Sequence, residues 1–110
     1  MQLNEYQALA QRTSNTELAL DKLTNGLLGL FGEGGECSDI VKKYMFQEHE
    51  LDKDHLREEL GDVLWYVAEV ASGLGVTLEA IATENIAKLE SRYPKYHFEG
   101  ERSRMRGECK

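Results

Sequence analysis

The 110-residue chain has a single proline, Pro94, and only two cysteines, Cys37 and Cys109. With proline absent from residues 1–93, nothing in that stretch blocks long helices. Two cysteines are too few for a disulfide framework. Cys37 lies inside an apolar pattern where a buried free thiol is the ordinary outcome, so a reducing, cytoplasmic setting is expected. Positive charge is also scarce, with 13 Lys and Arg against 20 Asp and Glu and a formal net charge of −7. That balance excludes the basic footprint by which proteins grip nucleic acid. No apolar run approaches the roughly 20 residues that cross a bilayer, and no charged-then-apolar leader opens the chain. A soluble protein with neither nucleic acid nor membrane as partner is expected.

The acidity is uneven. Residues 1–94 hold 8 basic and 17 acidic residues, whereas residues 95–110 hold 5 and 3, so the two parts carry −9 and +2. This predicts a helical domain over residues 1–94 and a separate C-terminal tail over 95–110, where apolar periodicity ends. An acidic protein that handles phosphates needs metal ions between itself and its ligand. A chain of this length is also short for building a deep pocket alone, so assembly into a homo-oligomer is expected.

Strand-like alternation is missing, and apolar residues recur at three- and four-residue intervals, which predicts an all-α protein, an antiparallel bundle of about four helices. Leu3, Tyr6 and Ala10 mark a short first helix that ends near Thr13-Ser14-Asn15-Thr16. A longer second helix carries Leu23, Leu27, Leu30, Phe31, Cys37, Val41 and Met45 on one broad stripe. It does so despite Gly26, Gly29, Gly32, Gly34 and Gly35, each costing about 1 kcal/mol relative to alanine. Close helix approach, or room for a ligand, would account for them. The polar segment 47–54 reads as a loop, with Asp52 or Asp54 able to cap a third helix whose Leu56, Leu60, Val63, Leu64, Val67, Val70, Ala71 and Leu74 face inward. Gly75 stops that helix. Thr77 caps a fourth, with Val76 and Ile81 placed as a hydrophobic staple, and Pro94 ends it.

Glu33-Gly34-Gly35-Glu36 and Glu59-Leu60-Gly61-Asp62 each put two carboxylates three residues apart on one helical face. Glu36 and Glu59, and likewise Glu33 and Asp62, are placed symmetrically about residues 47–48, so an antiparallel hairpin brings both pairs level. Both border the apolar stripes and should point to the helix interface, where four carboxylates repel unless cations neutralise them. Oxygen-only ligands suit a hard cation, and Mg²⁺ shared among carboxylates, water and substrate phosphates is the common arrangement. Asn85, Lys88 and Arg92 line one face of the fourth helix as an amide and two cations, a row suited to polyphosphate. Tyr66 lies one turn beyond Asp62, within reach of a sugar or base, and packing into the core accounts equally well for it and for Trp65. His49, His55 and His97 have no spacing typical of a transition-metal site and read as loop or surface residues.

The blocks 29–36, 58–66 and 85–94, in this order, resemble the MazG-like nucleotide pyrophosphohydrolases. The resemblance implies that Glu33, Glu36, Glu59 and Asp62 are the catalytic carboxylates and hold magnesium, with Mn²⁺ able to substitute. It implies cleavage of a nucleoside triphosphate to monophosphate and pyrophosphate in a homodimer or homotetramer, where a neighbouring chain helps complete the base pocket. The chemistry expected is in-line attack by a metal-bound water at the α phosphorus, with Glu36 or Glu33 accepting the water's proton. With one copy of the block, and a tail containing Arg102, Arg104 and Arg106, the chain resembles a free-standing enzyme that removes surplus or damaged nucleotides. Two alternatives stay open at this point: a non-catalytic metal-binding interaction module, and the same fold acting on dUTP or phosphoribosyl-ATP.

Overall fold

The periodic segments fold as helices throughout: α1 Leu3–Gln11, α2 Ala19–Phe46, α3 Lys53–Leu74 and α4 Leu78–Arg92, with no strand among the described residues. The computed structural model describes residues 1–94 and residue 100, so the expected tail lies outside the described residues apart from that one position. The described residues divide into two compact units, one ending at Leu78 and the other beginning at Glu79. The first contains α1, α2 and α3, and nearly all of α4 belongs to the second.

The centre of the first unit is the antiparallel hairpin of α2 and α3. A Cβ on Gly26 would run into Val70, and one on Gly29 would overlap the Tyr66 ring, so these two glycines allow the close helix contact. Gly73 makes the reciprocal approach, its Cβ position lying 3.0 Å from the Ala19 carbonyl oxygen and from Lys22 Cβ. Gly32, Gly34 and Gly35 have no neighbour within 4 Å of a built Cβ, so helix contact within this chain does not explain them. Alanine at Gly26 is expected to destabilise the fold by about 1–3 kcal/mol despite its better helix propensity, because the added methyl overfills the interface. Thermal or urea melts check this, and an unchanged or raised stability would refute the close-packing account.

The turn between these helices covers residues 47–52, with Glu48 in the left-handed region at φ 59°. Of the two expected caps, Asp52 acts: its Oδ1 accepts the backbone N–H of His55 at 3.1 Å. At the far end Gly75 takes φ 73°, a conformation that favours glycine, and Val76 N–H reaches back to the Ala71 carbonyl at 3.0 Å.

A buried acid ties α1 to the hairpin. Glu69 is fully buried on α3; its Oε1 accepts from Gln11 Nε2 (2.9 Å) and Ser14 Oγ (2.8 Å), and its Oε2 from Thr16 Oγ1 (3.1 Å) and Asn25 Nδ2 (2.9 Å). Lys22 Nζ lies 3.5 Å from Oε1 and also donates to Gln11 Oε1, Ser14 Oγ and the Thr16 carbonyl. Gln7 completes the seam, donating to Ser72 Oγ and the Val76 carbonyl and accepting Leu78 N–H at 2.7 Å.

The apolar stripes are wider than the helices that cover them. Ala10, Ile40, Ala68, Ala71 and Leu78 are buried, and Leu23 and Leu30 are half-buried. Contrary to the expected inward face, Leu60, Leu64 and Leu74 on α3 are exposed. On α2 the expected stripe divides likewise, with Leu27, Phe31, Val41 and Met45 exposed. Each of these helices has one broad neighbour, so only the facing side of its stripe is covered. Cys37 is likewise only partly buried, and its thiol is free.

Candidate active site

The hairpin brings the two carboxylate pairs together at its middle. Glu33 of α2 and Glu59 and Asp62 of α3 each place a carboxylate oxygen within 4.8 Å of the others. Glu59 is buried, Glu33 half-buried and Asp62 exposed. Glu36 is not one of these three, but it interacts with Glu59. The symmetric placement read from the sequence therefore holds, with Glu59 as the residue common to both contacts.

Gathering these acids perturbs them. A carboxyl–carboxylate hydrogen bond with Glu59, reinforced by burial and by Glu36, lifts Glu33 to about 7. Glu36 is raised by its hydrogen bond with Glu59 and by that residue's charge. Glu59 receives those bonds and is lowered, first by Glu33, then by Glu36, with His55 also contributing. With these acids ionised, Oε2 of Glu33 and Oε2 of Glu59 are buried with no donor to either among the described residues. Two orphaned carboxylate oxygens beside a third carboxylate fit a hard divalent cation, which would satisfy both and remove the repulsion.

Near neutral pH the metal-free site retains a proton at Glu33, and a cation must expel it. Calorimetric titration with Mg²⁺ in buffers of different ionisation enthalpy should show about one proton released per site near pH 6.5, falling towards zero by pH 8.5. Apparent affinity should rise across the same range. Proton release that is absent at pH 6.5 would contradict the assignment.

Two cavities flank the acids. One of about 510 Å³ is lined by Gly32, Gly35 and Glu36 together with Lys43, His49 and His55, among others. Gly32 and Gly35 thus border open space, in keeping with the ligand-room explanation of the glycines. Lys43, outside the expected site, reaches this cavity while its Nζ pairs with Asp39 at 3.0 Å. The other cavity, of about 410 Å³, is walled by Thr13, Glu33, Asp62, Trp65 and Tyr66. Its two rings meet edge to face, with centroids 5.0 Å apart at 81°, and Trp65 Nε1 donates to Thr13 Oγ1 at 2.8 Å. Tyr66 therefore both packs on Gly29 and borders the acids.

Asn85, Lys88 and Arg92 follow one another along α4, the first two exposed and Arg92 half-buried. They belong to the second compact unit, and the carboxylates to the first. His55 is exposed, in keeping with the surface position expected, but it lies in the first turn of α3 rather than in the loop, and its Nε2–H donates to Glu59 Oε1 at 3.1 Å, beside the acid cluster. The i, i+4 spacing of His55 and Glu59 was the available signal. His49 lines the larger cavity as a loop residue, and His97 lies outside the described residues.

The model of the MazG nucleotide pyrophosphohydrolase domain matches residues 22–97, which include both carboxylate pairs and α4. The chain belongs to the MazG family. This MazG protein is also similar to the gene 37 protein of Mycobacterium phage L5, at 36% identity over 86 residues, covering 74% of this chain and 75% of that protein. No solved structure matches it. The all-helical architecture of the described residues is consistent with that family's all-α fold.

Proposed function

We propose that this MazG protein is a Mg²⁺-dependent nucleoside triphosphate pyrophosphohydrolase, cleaving between the α and β phosphates to give a nucleoside monophosphate and pyrophosphate. The observation that carries the proposal is the pair of buried, unpartnered oxygens on Glu33 and Glu59 within a three-carboxylate cluster. Glu33, Glu59 and Asp62 would hold the ion, with Glu36 alongside. Magnesium bound there supplies Lewis-acid stabilisation of phosphate oxygens and a lowered pKa for attacking water.

The chain's own side chains divide the remaining work. Glu36 or Glu33, each meeting Glu59 in the cluster, is the acid suited to take a proton from the attacking water. Trp65 and Tyr66 offer an aromatic wall beside Asp62 for base or sugar, where stacking contributes binding without demanding one base. Asn85, Lys88 and Arg92 supply donors suited to phosphate oxygens. The use is removal of surplus or damaged nucleotides. The test is turnover of a panel of unmodified and modified ribo- and deoxyribonucleoside triphosphates with Mg²⁺, or with Mn²⁺ in its place, against a chelated control. Metal-dependent monophosphate formation supports the reading, and absence of turnover across the panel sinks it.

We further propose that the working form is a homodimer or homotetramer. Leu20, Leu27, Leu28 and Phe31 lie on the side of α2 away from α3 and are 72, 47, 70 and 82% exposed, a large apolar strip for a lone chain. Phe31→Glu is expected to shift the particle towards the 12.5 kDa of one chain in light scattering. An unchanged mass, or a monomeric wild type, would refute this use of the strip.

A further inference from the structure

Glu59 sits at the centre of the acid cluster, meeting Glu33 and Glu36 across the hairpin, and a group on its own helix also brings a ring nitrogen to it. That group is His55, one helical turn earlier, whose Nε2 lies 3.1 Å from Glu59 Oε1. The ring's origin is fixed as well, because Asp52 caps α3 through the His55 backbone N–H at 3.1 Å. A run of three residues thus joins the helix start to the cluster: Asp52 holds the first turn, His55 leans from it, and Glu59 receives the imidazole.

An i, i+4 pair on an open helix surface contributes only a few tenths of a kcal/mol and fixes little. This pair differs in its partners' settings. The His55 side chain is half-exposed, but that of Glu59 keeps 12% of its exposure. Glu59 Oε2 is the buried, unpartnered oxygen left to an ion once Oε1 is engaged. A carboxylate with both oxygens uncommitted can rotate about its terminal torsion, whereas one with an oxygen pinned presents the other in a single direction.

We infer that His55 is a positioning residue for Glu59, its Nε2–H holding Oε1 so that Oε2 is presented as a ligand to the divalent cation. The inference rests on the reading that the cluster of Glu33, Glu59 and Asp62 holds such a cation. His55 touches neither metal nor nucleotide in this role. Its loss should weaken cation binding while leaving the fold and the metal-saturated rate nearly intact.

The experiment uses the full chain with His55→Leu, which keeps bulk without a donor, and His55→Gln, which restores a donor on a flexible stem. Mn²⁺ binding is followed by electron paramagnetic resonance without nucleotide, alongside thermal melts and the Mg²⁺ dependence of nucleotide turnover. The His55→Leu variant is expected to bind Mn²⁺ about 10-fold or more weakly, the range in which removing an outer partner of a ligand falls. Its half-saturating Mg²⁺ for turnover should rise by the same factor, with kcat at saturating metal changed only a few-fold. His55→Gln should recover most of the affinity, and the metal-free melts should coincide.

Unaltered Mn²⁺ affinity in His55→Leu, with wild-type turnover intact, overturns the positioning role alone. Equal loss in His55→Gln also overturns it, in favour of the imidazole as a direct ligand. Weakened Mn²⁺ binding in His55→Leu from a wild type that turns over no nucleotide supports the positioning role and overturns the pyrophosphohydrolase reading. A wild type that binds no Mn²⁺ overturns both.

Discussion

Glu59→Gln is expected to lower metal-dependent nucleotide turnover on the order of 10²–10³-fold while raising the melting temperature of the metal-free protein. Both effects follow from one position. Glu59 is the carboxylate that Glu33 and Glu36 both meet, and its buried Oε2 has no partner among the described residues. The amide keeps the shape but removes the charge and turns one oxygen into a donor, so a cation loses a ligand. Without the cation the same change relieves repulsion among crowded acids, and Glu33, no longer facing a carboxylate, should fall back from about 7. Steady-state rates at several Mg²⁺ concentrations, with melts in chelator, separate the two effects. A variant with both lower activity and lower stability would show that Glu59 holds the hairpin together; one with full activity would remove it from the site.

Glu69→Ala is expected to destabilise the first unit by about 3–5 kcal/mol, a large part of the 5–15 kcal/mol typical of a domain. The carboxylate is fully buried and takes hydrogen bonds from Gln11, Ser14, Thr16 and Asn25, with Lys22 nearby. Alanine removes the opposite charge beside Lys22, leaves the four other donors without this acceptor and opens a cavity. Burial alone would raise the Glu69 pKa, but the four hydrogen bonds outweigh it and bring it down to about 2. A carboxyl lowered on folding contributes stability that is complete above its unfolded value near 4.5 and lost as pH falls through about 2. Acid melts of the wild type should therefore steepen between those values. Glu69→Gln should lack that limb while staying more stable than Glu69→Ala at neutral pH. A neutral-pH loss below about 1 kcal/mol for Glu69→Ala would contradict the network's role.

The carboxylate clamp and the hairpin were legible because they are local patterns. Spacing of three places Glu33 with Glu36 and Glu59 with Asp62, and a polar turn between the helices fixes the register that brings the pairs level. Gly26 and Gly29 were legible as a cost that needed a reason, and the Val70 and Tyr66 contacts supply it. Glu69 was not legible. It sits among Val67, Ala68, Val70 and Ala71 as one acid in an apolar run, and its partners come from residues 11–25, which no periodicity links to α3. The faces of Leu60, Leu64, Leu74 and Phe31 were misjudged for a related reason. An apolar stripe states that a surface should be covered without stating by which chain, and within this one these residues stay exposed.

In the proposed reaction the acidic cluster directs water to the α phosphorus of a nucleoside triphosphate. Phosphorus-31 resonance of the products formed in ¹⁸O-labelled water, with Mg²⁺ present, tests it most directly. The account predicts nucleoside monophosphate carrying the label, unlabelled pyrophosphate, and neither product in chelator or in the Glu59→Gln variant. Labelled inorganic phosphate with nucleoside diphosphate, or label in pyrophosphate, would contradict it.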